Sequence, residues 1–145
     1  MITLEHEQLD QIREIAEQAY PQECCGIMLG LVEKDRKTVM KLVLAQNERL
    51  DSLANRYLIS PEVIHRVEQD IRGTKTKIVG FFHSHPDVPA QPSAYDHEHA
   101  WPWFSYLIVS VRKGKSREVL TWKLKDDRSV FLPEDQTFGG NEFGD

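Results

Sequence analysis

Three prolines within seven residues, Pro86, Pro89 and Pro92, interrupt the middle of the chain. Proline lacks a backbone N–H and fixes φ, so neither a helix interior nor a central strand can run through this stretch. Residues 77–83, just before it, form an apolar run of strand character. Ser93, just after it, opens a short helix as its N-cap. The chain must therefore join a strand end, a rigid bend and a helix start within about twenty positions. The side chains at that junction are polar: His83, His85, Ser93 and Asp96.

Around this junction the periodicities are mixed. Within residues 5–19, Leu9, Ile12, Ile15, Ala16 and Ala19 fall at helical spacing, and Tyr20-Pro21 stops the helix. Residues 24–32 are an almost unbroken apolar run containing Gly26 and Gly30, which reads as a buried strand approached closely by other backbone. A polar turn at 33–36 leads to a strand over 38–45. Residues 46–55 are polar and irregular, and 56–59 resume strand character. Ser60-Pro61 starts a second helix. Val63, Ile64, Val67 and Ile71 form its buried face, and Gly73 ends it. Residues 106–111 and 118–124 read as a hairpin about Lys113-Gly114-Lys115, with a last short strand at 130–132. The polar segment from residue 133 onward reads as mobile. Strands and helices without regular alternation predict an α/β or α+β fold, a mixed sheet flanked by helices. We read one domain over residues 1–135 and a C-terminal tail over 136–145.

A chain of 145 residues suits one core. Its net charge of −5 argues against a nucleic-acid surface, which needs clustered Lys and Arg. No apolar run is long enough to span a bilayer, and the N-terminus has no basic and apolar leader. The two cysteines, Cys24 and Cys25, are neighbours and form no disulfide framework. They read as small core residues of a cytoplasmic protein with reduced thiols.

The junction carries the chemistry. Residues two apart on a strand share a face, so His83 and His85 present two imidazoles side by side. Asp96 comes from the first turn of the following helix. Two nitrogens and a carboxylate oxygen suit Zn2+ and leave a fourth position for water. Iron or another divalent ion would also accept this set. Hydrolysis at such a centre needs a base and an oxyanion donor. Ser93, one turn before Asp96, is the candidate donor. Glu23 is the base best placed by pattern, although spacing does not separate it from Glu17 or Glu62. Plainer readings exist: His-x-His alone can be a surface pair, and Ser93-x-x-Asp96 is also a capping box. His97 and His99 point differently from Asp96 and read as solvated. His6 and His65 lie on charged helices. Trp101, Pro102, Trp103 and Phe104 read as core packing, the alternative being the wall of a channel for an extended tail. Gly139-Gly140 reads as part of the mobile tail.

The pattern His83-x-His85-Pro86, six residues, then Ser93-x-x-Asp96 resembles that of the JAMM (MPN+, Mov34) metalloproteases. Glu23-Cys-Cys-Gly26 with Leu29-Gly30 resembles the family's glutamate-bearing strand. Residues 56–61 and 106–110 also look like family segments, so the likeness spans about residues 1–135. It implies the cytidine-deaminase-like JAMM/MPN fold, with zinc held by His83, His85 and Asp96. It makes Glu23 the general base acting on a zinc-bound water, and Ser93 the oxyanion stabiliser. Family members cut peptide or isopeptide bonds at the C-terminal Gly-Gly of ubiquitin-like proteins. The short chain is more similar to stand-alone bacterial members linked to sulfur carriers of the ThiS and MoaD type. The implied partner is a small ubiquitin-like or sulfur-carrier protein, with no nucleic acid and no membrane; nothing in the sequence sets an oligomeric state. Two rivals are a non-catalytic scaffold of the same fold and a DNA-associated protein of RadC type. The complete residue set argues against the first and the acidic balance against the second.

Overall fold

Successive side chains along the run that follows Glu23 are buried on both sides of the strand they form. Cys24 and Met28 belong to one core cluster, and Cys25, Ile27 and Leu29 to another. A strand buried on both faces must be central and covered by a layer on each side. The computed structural model describes residues 1–46 and 59–139 and shows this arrangement. Expectations for residues 47–58 and 140–145, Gly140 included, lie outside the described residues.

In chain order the elements are β1 (Ile2–Glu5), α1 (His6–Ala19), β2 (Cys25–Glu33), β3 (Arg36–Ala45), α2 (Pro61–Asp70), β4 (Lys77–Pro86), α3 (Ala94–His99), β5 (Ser105–Arg112), β6 (Lys115–Leu124), β7 (Phe131–Pro133) and β8 (Gln136–Gly139). The strands form one mixed sheet in the order β7-β6-β5-β4-β2-β3-β1-β8. β4 pairs antiparallel with β2 and parallel with β5. The fold is mixed α+β, as the irregular alternation implied. Among the described residues no helix is long and apolar enough to cross a membrane.

α1 lies on one face through Leu9, Ile12 and Ala16, against Met28, Val79, Phe82 and Leu107. α2 lies on the other through Val67, with Val63, Ile64 and Ile71 half-buried beside Cys25, Ile27 and Ile78. Each fully buried side chain of this kind is worth about 1.5–3 kcal/mol, so these two layers hold the sheet. Gly26 is required by the first layer: a Cβ there would lie 2.1 Å from the Phe82 ring. Ser60 caps α2, its hydroxyl accepting from the Glu62 N–H at 3.1 Å.

The sheet curls until its edges approach. β7 and β8 sit at opposite ends of the strand order, yet only Glu134 and Asp135 separate them in sequence. The Glu134 N–H bonds to Thr121 O on β6, and the Ile2 N–H on β1 bonds to Asp135 O.

Several segments differ from the sequence expectation. β1 gives no sequence signal, because four residues show too little periodicity. The segment expected as a mobile tail contains β8, which pairs in parallel with β1 from Gln136 to Gly139. Backbone pairing, a Thr3–Thr137 hydroxyl bond of 2.9 Å and Phe138 packed on the core hold a stretch whose composition looks like loop. β4 continues past His83 to Pro86, and β7 starts one residue later than expected, at Phe131.

Candidate metal centre and active site

The site grows from the alternation of β4. Phe81, His83 and His85 face the α2 side, while Phe82 faces α1. Ser84, pointing away from the histidines, fastens β4 to β2: its Oγ accepts from the Cys24 N–H at 2.9 Å, and its N–H donates to Cys24 O at 3.2 Å. Cys25 lies opposite His83 in the ladder. Two residues earlier, Glu23 therefore comes opposite His85 on the histidine face. It is 5% exposed, against 1% for His83 and 4% for His85.

The bend through Pro89 and Pro92 returns the chain over this strand end. Ser93 caps α3, its Oγ accepting from the Asp96 N–H at 3.1 Å, while Asp96 Oδ2 accepts from the Ser93 N–H at 2.8 Å. This reciprocal box aims the carboxylate at the histidines. Asp96 Oδ2 lies 3.1 Å from His85 Nε2, Asp96 Oδ1 lies 3.3 Å from His83 Nε2, and the two Nε2 atoms are 3.2 Å apart.

The protonation pattern fits a cation. His85 Nδ1 lies 2.9 Å from Pro89 O, which can only accept. That nitrogen therefore carries a proton, and Nε2 faces Asp96 and His83. Burial lowers the pKa of His83 against the opposing pull of Asp96 and favours its neutral form. Burial alone would raise the Asp96 carboxyl. The charge and hydrogen bonds of His83 and His85 outweigh it and hold Asp96 far below the usual carboxylate range. Two imidazole nitrogens and a carboxylate thus converge in a dry site, which calls for a proton or a metal ion between them. Tetrahedral ligands about 2.0–2.1 Å from zinc are about 3.3 Å from one another, close to the spacings found. Among the described residues this is the one group of three such side chains with ligand atoms all within 4.8 Å.

Burial, and then the charge of Asp96, push the Glu23 carboxyl up to about 9. The three glutamates that spacing could not separate differ here. Glu17 is exposed on α1 and bonds the Ser116 N–H, Glu62 is exposed in the first turn of α2, and Glu23 shares the histidine face.

A cavity of about 130 Å³ adjoins Asp96, walled by Ile59, Ile64, Phe81, Tyr95, Trp101 and Tyr106. Sequence reasoning missed its extent. The aromatic segment expected in the core splits: Phe104 packs against Phe81, but Trp101 and Trp103 are 65% and 39% exposed. A run of aromatic residues carries no sign of which of them find cover. His97 and His99 do not join the metal group. His97 Nε2 bonds Arg128 O, and His99 Nδ1 bonds Tyr95 O while its ring stacks on Tyr95. His6 and His65 are exposed. Cys24 and Cys25 are buried and in no disulfide, and burial pushes Cys24 up to about 11, as an inert core cysteine requires.

Residues 5–125 match the family model of prokaryotic homologues of the JAB domain. The chain belongs to this family. The match encloses the glutamate strand, the histidine pair and α3. The desampylase of Haloferax volcanii is 35% identical over 103 residues, covering 70% of this chain and 72% of that protein. Two solution structures share the fold. A protein of Desulfitobacterium hafniense superposes with a TM-score of 0.81 at 31% identity, covering 99% of this chain and 97% of that one. A protein of Salinibacter ruber gives 0.72 at 39% identity, over 98% and 94%. The JAB-domain assignment and these neighbours agree with the fold and family that the resemblance implied.

Proposed function

We propose that the protein is a zinc-dependent peptidase cutting a peptide or isopeptide bond at the C-terminal Gly-Gly of a small ubiquitin-like protein, of sulfur-carrier type. One observation carries the reading: the buried convergence of His83, His85 and Asp96, with Glu23 on the same face. A relative named desampylase supports a ubiquitin-like substrate.

His83, His85 and Asp96 are the residues to hold zinc. Bound there, zinc supplies a water of near-neutral pKa and a Lewis acid for the scissile carbonyl. Glu23 accepts the proton of the attacking water and returns it to the leaving nitrogen. Its carboxyl rises to about 9 through burial and the charge of Asp96; a cation at the triad would oppose both effects and favour its basic form. The Ser93 oxygen is used as acceptor by its own cap, which leaves the hydroxyl proton to donate to the developing oxyanion. Pro89 O and the Ser93 N–H fix the orientations of His85 and Asp96.

The test is intact mass spectrometry of a ThiS-type carrier extended beyond its Gly-Gly, incubated with zinc-loaded protein and with a Glu23→Ala control. We expect the extension to be lost only with the unmutated chain. An intact carrier at full zinc occupancy, followed by intact isopeptide conjugates, would overturn the reading in favour of a scaffold.

A further inference from the structure

The cavity beside Asp96 has no part in the chemistry just described, and its make-up is specific. Phe81 lies two residues before His83 on the same face of β4, and Tyr106 is its partner in the β4–β5 ladder, the rings stacking at 5.7 Å. Ile59 and Ile64 close the α2 side, Tyr95 the α3 side, and the exposed Trp101 forms part of the rim. The two titratable groups beside these, apart from the phenols, are Asp96 and His99. The Asp96 carboxylate is turned to the histidines and the Ser93 N–H, and the His99 ring lies against Tyr95. What the cavity offers a visitor is apolar surface. Its volume of about 130 Å³ is near the ~150 Å³ of cavities that hold a benzene ring.

We propose that this cavity is the specificity pocket for the residue on the leaving side of the scissile bond, and that it selects a large apolar or aromatic side chain. The inference rests on the peptidase reading. A Gly-Gly tail brings no side chain to the acyl side of the cut. The first one upstream belongs to the third residue, about 10 Å away in an extended chain. The cavity instead touches Asp96, a ligand of the proposed metal, within reach of a side chain borne on the scissile nitrogen's own residue. The pocket therefore reads what the enzyme removes, while the bare diglycine supplies what passes the centre.

The experiment compares hydrolysis of a ThiS-type carrier ending Gly-Gly-Phe with one ending Gly-Gly-Ala. It is paired with NMR titration of the full-length protein by N-acetyl-phenylalaninamide, read at the Ile59 and Ile64 methyl groups. We expect kcat/KM to favour the Phe tail by roughly 10- to 100-fold, the span that apolar pocket contacts supply. Ile64→Trp, which fills the cavity, reduces that preference to a few-fold. Trp101→Ala, at an exposed position, also weakens it. Equal cleavage of both tails overturns the pocket and leaves the peptidase reading standing. If neither tail nor an isopeptide conjugate is cut but the amide shifts both methyl groups and Ile64→Trp abolishes the Ile59 shift, the apolar site stands and the peptidase reading falls. No cleavage of tails or conjugates and no shifts overturn both.

Discussion

Two buried polar clusters sit at opposite ends of the same sheet, and they are built on different rules. At the far end from the histidines, Lys37 Nζ donates to Trp103 O and, at 2.9 Å, to Ser105 Oγ. Ser105 Oγ donates to Glu134 Oε1 at 2.6 Å, and the Met1 amino group pairs with Glu134 Oε2 at 3.2 Å. Donors meet acceptors throughout, and this cluster clasps β3, β5 and the link between β7 and β8. At the other end, two imidazole nitrogens and a carboxylate crowd together at 3.1–3.3 Å, all of them atoms that can ligate a metal. The first network pairs each donor with an acceptor and holds the fold together; the second gathers the ligand-type atoms that the proposed zinc site needs.

The comparison can be broken at either end. The largest expected effect is on turnover: Glu23→Gln should lower kcat by about 10²–10⁴-fold, the range for a lost general base, with zinc still at one per chain by elemental analysis. Near-normal turnover would remove Glu23 from the chemistry. Next comes the metal. Chelation, or His83→Ala, should abolish turnover and lower the thermal midpoint, since an ion present at a thousand times its Kd adds about 4 kcal/mol to stability. A midpoint indifferent to chelator would mean that the triad does not bind the ion in the folded state. Lys37→Met should cost about 2 kcal/mol in chemical denaturation, as expected for a lost charged hydrogen-bond donor, and should leave zinc content and kcat unchanged. Loss of zinc in that variant would join the two clusters into one.

The remaining effects are slopes with pH, and their signs oppose. Glu23 titrates at about 9 instead of 4.5 because burial, then Asp96, disfavours its charge. Between those values the folded metal-free chain holds a proton that the unfolded chain has released, so Glu23 makes stability fall as pH rises. Lys37 titrates at about 8 instead of 10.5, mainly through burial. Between those values the unfolded chain holds the extra proton, so Lys37 makes stability rise with pH. In metal-free protein, thermal melts should show Glu23→Gln gaining on the unmutated chain from pH 5 to 9. The Lys37→Met deficit should widen above pH 8. Parallel curves in either pair would refute the burial assigned to that group.

What the sequence made legible follows the same division. α1, α2 and the β5–β6 hairpin are local patterns of apolar spacing or turn residues, and each appears in the expected place, with β6 starting at Lys115 instead of 118. The His83–His85 pair is legible because alternation on a strand is local too. Placing Glu23 beside them depends on the β2–β4 register, which pairs residues some sixty positions apart. Spacing therefore left Glu17 and Glu62 as equals, and only the likeness to a family separated them. The Lys37 clasp was illegible for the same reason. Beside the polar turn at 33–36 it looks like a solvated lysine, and it is 4% exposed only because the sheet curls. β1 and β8 escape notice because each has four residues and is held by backbone pairing with a distant partner.

Cys24 and Cys25 follow one another on the chain, yet they belong to different halves of the interior, one in the cluster beneath α1 and one in the cluster beneath α2. They are a pair of clocks mounted on a single peptide. A thiol reagent marks each sulfur only when the layer above it opens, and fragmentation of that one peptide tells which was marked. The ratio of the two labelling rates would time the opening of the two helical layers separately, within one unmutated molecule.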